Sequence, residues 1–248
     1  MLIDDILARV PPDSQRSEWF LKQLKEAVVI KAHNVADHIF NNYPAPWREG
    51  KTLDRCGIFD SIAPPYETMW MEWGHSCDWG FTHEKPCQAP VRLRAGILMS
   101  AFDMAQIEAA APDSSLQHLK SHLPGAKWIM SGFLLWEGKE RDGVLSCPPG
   151  FVWGVDPDGR LILRDGNIPC SPHPLSHSEE LTEEDKRRAS GFSWFLSIPF
   201  MALSLMHCKN VELVKSPPLP EALQQARHRR GRLPLLRWHT LVVKPFGR

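Results

Sequence analysis

The sequence lacks the long uncharged apolar run that an ordinary membrane-spanning helix requires. It also lacks the pattern of a secretory signal, because it begins with the polar and acidic stretch MLIDDILARVPPDSQ. A surplus of one charge is missing as well: 29 Lys and Arg balance 29 Asp and Glu, which argues against binding of nucleic acid by bulk charge alone. We therefore expect a cytoplasmic protein that does not span a membrane.

The familiar catalytic fingerprints are missing too. There is no Gly-rich phosphate-binding loop, no G-x-S-x-G, no dinucleotide fingerprint and no C-x-x-C pair. The 6 Cys are widely spread, and in a cytoplasm they are expected to be reduced and mostly buried as small hydrophobic residues. None of them carries the local signature of a nucleophile. Tyr is scarce, with 2 residues against 10 Trp, and most of the Trp should belong to the core.

What is present is the composition of a globular protein: 248 residues, of which 43% are hydrophobic and 23% charged. No internal repeat and no long linker divides the chain, so residues 1–248 are expected to form a single α+β domain. The predicted fold is a mostly antiparallel sheet packed against two long helices.

Both helices are predicted from apolar spacing. The first is predicted over 17–41, from the apolar residues Trp19, Leu24, Val28, Val35 and Ile39. The second is predicted over 182–208, with Thr182 as its N-cap and a kink at Pro199. Its apolar residues cover more than one face, which predicts a helix at the centre of the core rather than on the surface.

Alternating residues and aromatic content predict the strands of the sheet. The turn sequence Asp156-Pro157-Asp158-Gly159 indicates a hairpin. The segment 74–90, rich in Gly, Cys, His and Pro, is predicted to be a loop. Strands are expected over 66–73, 91–101, 127–137, 143–147, 151–155, 160–163 and 235–243.

Four candidate zinc ligands lie in the predicted loop: His75, Cys77, His83 and Cys87. Zinc needs four nitrogen or sulfur donors close together, and a short connection between two strands can supply them. The spacing His-x-Cys-x5-His-x3-Cys is not that of a standard zinc finger, so an accidental cluster is the alternative. A metal bound here is expected to be structural rather than catalytic.

Glu72 lies between two Trp on a predicted strand and is a candidate for a buried carboxyl group. Burial raises the pKa of a carboxyl group, which would suit general acid catalysis. An ion pair with one of the Arg residues is the alternative. A zinc-dependent enzyme would combine this carboxyl group with the His and Cys ligands.

The last 40 residues carry a charge asymmetry that the neutral total conceals. Residues 209–248 contain nine Lys and Arg against two Glu, a net charge of +7, and the rest of the chain carries −7. A short amphipathic helix around 219–226 is expected to end in the basic run Arg227–Arg232, which precedes the strand over 235–243. We call residues 209–248 the basic C-terminal unit.

The basic C-terminal unit is the predicted binding site. Five of its side chains could converge on phosphates or on an acidic protein surface: Arg229, Arg230, Arg232, Arg237 and His239. Basic residues also favour the C-terminus of any helix, and the acidic run Glu179–Asp185 could neutralise the patch. A solvated basic turn is therefore the alternative interpretation.

Parts of the sequence resemble proteins encoded by phages and prophages. The similar stretches are HCKNVE at 207–212, RRGRLPL at 229–235 and WHTL at 238–241, with PPYE at 64–67, WMEW at 70–73 and RAGIL at 94–98. The resemblance covers about a quarter of the chain and leaves the segment 74–90 outside it, as an insertion. It implies a mobile-element accessory protein in a bacterial cytoplasm, and it assigns no catalytic residue.

Three functions are therefore considered from the sequence. The first is a non-enzymatic phage accessory protein that binds nucleic acid or an acidic host protein through the basic C-terminal unit. The second is a zinc-dependent hydrolase or nuclease that uses the His and Cys residues of the 75–87 loop together with Glu72. The third is a structural phage component.

Overall fold

The computed structural model describes residues 1–9, 15–42, 61–79, 86–110, 120–137, 145–146, 151–162, 196–230 and 235–244. The strands are β1 (Val28–Lys31), β2 (Thr68–Trp79), β3 (Pro86–Asp103), β4 (Trp128–Glu137), β5 (Leu145–Ser146), β6 (Phe151–Val155), β7 (Val211–Lys215) and β8 (His239–Val243). The helices are α1 (Leu2–Arg9), α2 (Gln15–Glu26), α3 (His33–Asn42), α4 (Met104–Ala110), α5 (Ser197–Met206) and α6 (Glu221–Arg229). The predicted α+β class is confirmed.

All these strands belong to one sheet. Its order is β5-β4-β3-β2-β1-β8-β7, and β6 pairs with β4 beside this path. β1 is parallel to both of its neighbours, β2 and β8. The other strand pairs among the described residues are antiparallel. The sheet is therefore mixed, because β1 is parallel to β2 and β8 while the other pairs are antiparallel.

The helix predicted over 17–41 is wrong as a single element. α2 ends at Glu26, β1 occupies Val28–Lys31, and α3 begins at His33. The three consecutive β-branched residues that start β1 are stiff at χ1 and favour a strand. Val29 and Ile30 are buried on opposite faces of the sheet, as the alternation of a strand requires. The apolar spacing that indicated one helix therefore belongs to two helices with a strand between them.

Helices cover both faces of the sheet. On one face, α1 and α2 contribute residues such as Leu24 to a buried cluster that contains Trp70 of β2. On the other face, α3 and α5 contribute Ile39 and Phe200 to a larger cluster that contains Met71. Trp70 and Met71 are neighbours in β2 and point to opposite faces, so a single strand supplies both layers of the core.

The loop predicted over 74–90 is wrong where the structure describes it. β2 continues to Trp79 and β3 begins at Pro86, and these two residues are paired. The pairing of β1 with β2 ends at Glu72, and the pairing of β4 with β3 ends at Arg94. Within the part of the chain that the structure describes, β2 and β3 therefore continue beyond β1 and β4 as a two-stranded ribbon.

The helix predicted over 182–208 is described only in its last part, as α5. Residues 163–195, including the predicted N-cap Thr182, lie outside the described residues. Phe200 and Leu203 of α5 are completely buried, which agrees with the predicted place in the core. Pro199 lies in the first turn of α5, where a missing N–H breaks no intrahelical hydrogen bond, so it does not kink this helix. None of the described helices is long and apolar enough to cross a membrane.

Several short elements agree with the sequence predictions. β4 and β6 occupy the strands predicted over 127–137 and 151–155. In the predicted turn, the backbone N–H of Gly159 donates to the carbonyl of Asp156 at 3.1 Å, and Gly159 has a φ of 87°. Glycine adopts this left-handed conformation without steric cost. Beyond the turn, Leu161 forms an isolated bridge with Val155 instead of the predicted strand.

Candidate functional site

β7 and β8 form the base of the basic C-terminal unit. They pair antiparallel, from Val211 opposite Val243 to Lys215 opposite His239. The connection between the two strands carries α6, so the unit is a hairpin with a helix in its turn. β8 also pairs with β1, where Lys31 lies opposite Thr240, and this pairing joins the unit to the main sheet.

Ser216 holds the end of the hairpin from which α6 departs. Its backbone N–H donates to the carbonyl of Trp238 at 2.7 Å, and its hydroxyl accepts the backbone N–H of Trp238 at 3.2 Å. The Nη2 of Arg237 donates to the carbonyl of Ser216 at 2.8 Å. These three hydrogen bonds fix the points at which the chain leaves β7 and returns to β8.

α6 lies on the surface of the protein. None of its nine residues is buried, and Leu223 is 43% exposed. Gln224 attaches the helix to the returning chain: its Nε2 donates to the carbonyl of Leu235 at 3.2 Å, and its Oε1 accepts the backbone N–H of Leu235 at 3.0 Å. The short helix predicted around 219–226 is thus confirmed, but its apolar side is not buried.

Arg229 and Arg230 occupy the exposed C-terminal end of α6. The backbone N–H of Arg230 donates to the carbonyl of Arg227 at 3.0 Å and closes the last turn. Within the described ranges, no carboxylate forms an ion pair with Arg229 or Arg230. Arg232 lies outside these ranges. The helix end therefore presents two guanidinium groups that no described acidic side chain neutralises.

Arg237 and His239 lie at the strand end of the unit rather than on α6. Arg237 is exposed, with its Nη2 bonded to the carbonyl of Ser216. His239 is half-buried opposite Lys215 in β7, and its Nδ1 is buried without a hydrogen-bond partner among the described residues. The structure therefore places the predicted site residues in two groups. Their convergence on one anion stays a prediction.

Sequence reasoning missed a cation beside this unit. The Nζ of Lys31 lies 3.7 Å from the centre of a ring of Trp238, which is a cation–π contact. The contact depends on the pairing of β1 with β8, which joins opposite ends of the chain. No local pattern in the sequence relates Lys31 to Trp238, so only the fold could reveal it.

The predicted zinc ligands lie mostly on the β2–β3 ribbon. His75 is paired with Leu93 and Cys77 with Val91, while Cys87 follows the first residue of β3. His83 lies outside the described residues. Elsewhere in the described part of the chain, no group of three or more His, Cys, Asp or Glu side chains could hold a metal ion. The four-ligand zinc site stays a prediction. Three of its residues, His75, Cys77 and Cys87, lie on strands and not in the expected loop.

Glu72 is buried, with 4% of its surface exposed. Its Oε2 accepts a hydrogen bond from the indole Nε1 of Trp70 at 3.1 Å and one from the backbone N–H of Ile3 at 3.3 Å. The second donor belongs to the first turn of α1, where backbone N–H groups have no partner within the helix. Through these hydrogen bonds, Glu72 connects β2 to α1, which is a structural role.

Arg94 forms an ion-pair cluster with Asp5 at 2.7 Å and with Glu137 at 2.5 Å. Arg9 of α1 lies 3.8 Å from the same Glu137. Burial alone would lower the pKa of Arg94, but its hydrogen bonds to Glu137 and Asp5, together with their negative charges, raise this pKa above its usual value. The cluster ties α1 to β3 and β4, and its carboxylates neutralise Arg94.

Comparison with protein-family models, with curated protein sequences and with solved structures finds no match for this chain. The interpretation of the site therefore depends on the residues and contacts of the basic C-terminal unit alone.

Proposed function

We propose that this protein binds nucleic acid through its phosphates, with the basic C-terminal unit as the contact surface. In keeping with the resemblance to phage and prophage proteins, we assign it a non-enzymatic accessory role for a mobile element in a bacterial cytoplasm. The observation that carries the proposal is the basic end of α6, a surface helix that presents Arg229 and Arg230 to solvent.

The burial of α6 supports this function. A helix of nine residues is too short to be stable by itself in water, and helices in proteins usually gain their stability by burying an apolar face. α6 buries no residue, so its contribution to the core is small. The two hydrogen bonds of Gln224 attach α6 to the backbone of Leu235. This arrangement suits a helix that presents side chains to a ligand more than one that stabilises the fold.

The charge of the unit supports an anionic ligand. Its described residues contain seven Lys and Arg against two Glu, and one of these, Glu212, forms an ion pair with Lys244. Arg is well suited to phosphate because its planar guanidinium can donate two parallel hydrogen bonds to one phosphate group. Arg237 keeps N–H donors besides the one that bonds Ser216, so it can take part while it holds the hairpin.

The test is a salt series of binding measurements with fluorescent single-stranded DNA, duplex DNA and RNA. The variant changes Arg229, Arg230 and Arg232 to Ala. A matched control changes Lys22, Lys25 and Arg160 to Ala, which are exposed cations outside the unit. We expect the site variant to bind more weakly. For duplex DNA, the slope of the logarithm of the affinity against the logarithm of the salt concentration should become shallower by about 0.9 for each phosphate contact that is lost. The control should resemble the wild type.

Equal binding by the wild type and the site variant at every salt concentration would contradict the proposed surface. Absence of binding to all three nucleic acids would contradict the proposed function itself. The remaining interpretation of the basic charge is then an acidic protein partner. Salt should slow the association of such a partner more than it changes its dissociation.

A further inference from the structure

β7 forms one end of the sheet. It is the last strand in the sheet order, next to β8, and no other described strand lies beyond it. Among the described residues, the backbone groups on the outer side of β7 therefore have no strand partner. An open edge of this kind can add a further strand by main-chain hydrogen bonds.

The hydrogen bonds at the two ends of the hairpin show which residues face the open edge. Ser216 donates to Trp238 and Lys244 donates to Asn210, so the even-numbered residues of β7 bond to β8. Leu213 and Lys215 alternate with them and direct both N–H and C=O away from β8. Val211 has its N–H bonded to the carbonyl of Cys208. Among the described residues, two N–H donors and three C=O acceptors along this edge therefore have no backbone partner.

Apolar side chains accompany the open edge. Leu213 is half-buried against the core, while Val214 is 43% exposed on the other face of β7. Val242, which is paired with Glu212 in the register, is 38% exposed on the same face as Val214. An added strand would therefore find an apolar neighbour on each face.

The charge around the edge indicates the chemistry of the added strand. Lys209 and Lys215 are exposed cations at the two ends of β7, and Arg237 is exposed beside the second end. No ion pair joins any of the three to a described carboxylate, whereas Glu212 is neutralised by Lys244. A second copy of this chain would bring the same three cations and be repelled, while an acidic strand would be attracted.

We propose that the open edge of β7 binds an extended acidic peptide segment of a partner protein, which adds to the sheet as an antiparallel strand. This edge belongs to the basic C-terminal unit but does not include the basic end of α6, and it extends the proposed function to a second ligand. The strand would place an apolar residue opposite Leu213 and an acidic residue opposite Lys215. Further acidic residues would lie next to Arg237.

The first experiment is hydrogen exchange of the free full-length protein, read by NMR for each amide of β7. We expect slow exchange at Glu212 and Val214, which bond to β8, and fast exchange at Leu213 and Lys215, which face the edge. Slow exchange at all four amides would show that the edge is already covered and would overturn the proposal. Measurement at two protein concentrations identifies self-association as the cause if the protection depends on concentration.

The second experiment adds the probe peptide acetyl-EEEVLTV-amide to the same sample. We expect the amides of Leu213 and Lys215 to become protected, and the spectrum of α6 to change little. The same peptide with an N-methyl group on its leucine cannot complete the ladder opposite Leu213 and should not bind. Acetyl-KKKVLTV-amide has the same apolar residues with the opposite charge and should bind much more weakly.

Two variants at one position separate the backbone from the charge. Lys215→Ala removes only the exposed cation and should weaken peptide binding by a few-fold, about 2- to 5-fold for an exposed pair. Lys215→Pro also removes the N–H that faces the edge, and proline is tolerated in edge strands at such a position. It should weaken binding by about tenfold or more.

Equal affinities of the Lys215→Ala and Lys215→Pro variants would exclude strand addition, because charge alone would then explain the binding. Equal affinities of the acidic and basic peptides would exclude the proposed charge recognition. Neither outcome depends on the basic end of α6, which is the part of the unit that the nucleic-acid experiment changes. Conversely, loss of nucleic-acid binding in the α6 variant leaves the peptide result unchanged.

Discussion

The Oε2 of Glu72 accepts the indole N–H of Trp70 at 3.1 Å, and both residues are buried on the face of the sheet that α1 covers. The same oxygen accepts the backbone N–H of Ile3. A carboxylate inside the core therefore satisfies two donors that would otherwise be buried without partners. This is a reason for an acidic residue to lie in the middle of β2.

Replacement of Glu72 should destabilise the fold to an extent set by the remaining acceptor. Glu72→Gln keeps one side-chain oxygen and should cost about 1 kcal/mol, because a bond to a charged group is stronger than one to a neutral group. Glu72→Ala leaves the Trp70 and Ile3 donors unsatisfied and should cost about 3 kcal/mol. Urea unfolding followed by Trp fluorescence measures both. Equal costs for the two variants would show that the hydrogen bonds to Glu72 contribute little.

Gly96 should not tolerate a side chain. A Cβ atom at this position would lie 2.2 Å from the Cζ2 atom of Trp70, which is far inside van der Waals contact. Because the indole is completely buried and bonded to Glu72, it cannot move away without loss elsewhere. Gly96→Ala should cost about 3 kcal/mol in the free energy of unfolding. The double variant Gly96→Ala with Trp70→Leu should cost less than the sum of the two single changes, and strict additivity would contradict the clash.

Gln224 is uncharged, but its replacement should weaken nucleic-acid binding because this residue holds α6 in place. Its two hydrogen bonds attach α6 to Leu235, so Gln224→Ala should loosen the helix that presents Arg229 and Arg230. We expect weaker nucleic-acid binding and faster amide exchange in α6, with a loss of stability of about 1 kcal/mol or less. Gln225→Ala is the control, because this neighbour bonds only to Glu221 of its own helix among the described residues. If both variants bind as the wild type does, the order of α6 has no part in binding.

Replacement of a leucine by aspartate should be tolerated at Leu223 and not at Leu203. Leu203 of α5 is completely buried, and Leu223 of α6 is 43% exposed. Leu203→Asp buries an unpaired carboxyl group in the core and should abolish soluble expression. Leu223→Asp should leave expression and the melting temperature nearly unchanged. Soluble, cooperatively unfolding Leu203→Asp protein would mean that α5 is peripheral.

The predicted zinc site can be tested by metal analysis of the purified protein. Zinc bound to this chain should be lost from the double variant Cys77→Ser with Cys87→Ser, because thiolates are its strongest ligands. The melting temperature should fall only modestly, since β2 and β3 continue into a sheet that has its own core. Zinc retained by the double variant would refute these ligands, and Cys208→Ser provides a control at an exposed cysteine.

The sequence predicted best those features that depend on neighbouring residues. The turn at Asp156–Gly159 follows from local backbone preferences, and α6 follows from spacing within one short segment. β1 was missed because four residues between two helices carry little periodic signal, and because its two partner strands come from distant segments. The ribbon of β2 and β3 was missed for a different reason: Gly, Pro and polar residues there indicate a loop, while cross-strand pairing decides the outcome.

The candidate site was predictable in composition and only partly in geometry. The run from Arg227 to Arg232 stands out in the sequence, and the exposure of Arg229 and Arg230 agrees with it. The bond from Arg237 to Ser216 depends on the strand register, which composition does not give. Glu72 shows the same division, since the flanking Trp residues indicated its burial and only the fold identified Ile3 as its donor.

The place of β1 between β2 and β8 has a consequence for synthesis on the ribosome. Residues 28–31 emerge early, yet one of their two neighbours in the sheet is β8, at 239–243. At about 5–20 residues per second, the nascent chain carries this open side of β1 for about 10–40 s. The basic C-terminal unit closes it, so the segment that we propose to bind nucleic acid also completes the sheet. Truncation before β8 should therefore produce a protein that aggregates through β1, not merely one that has lost its ligand.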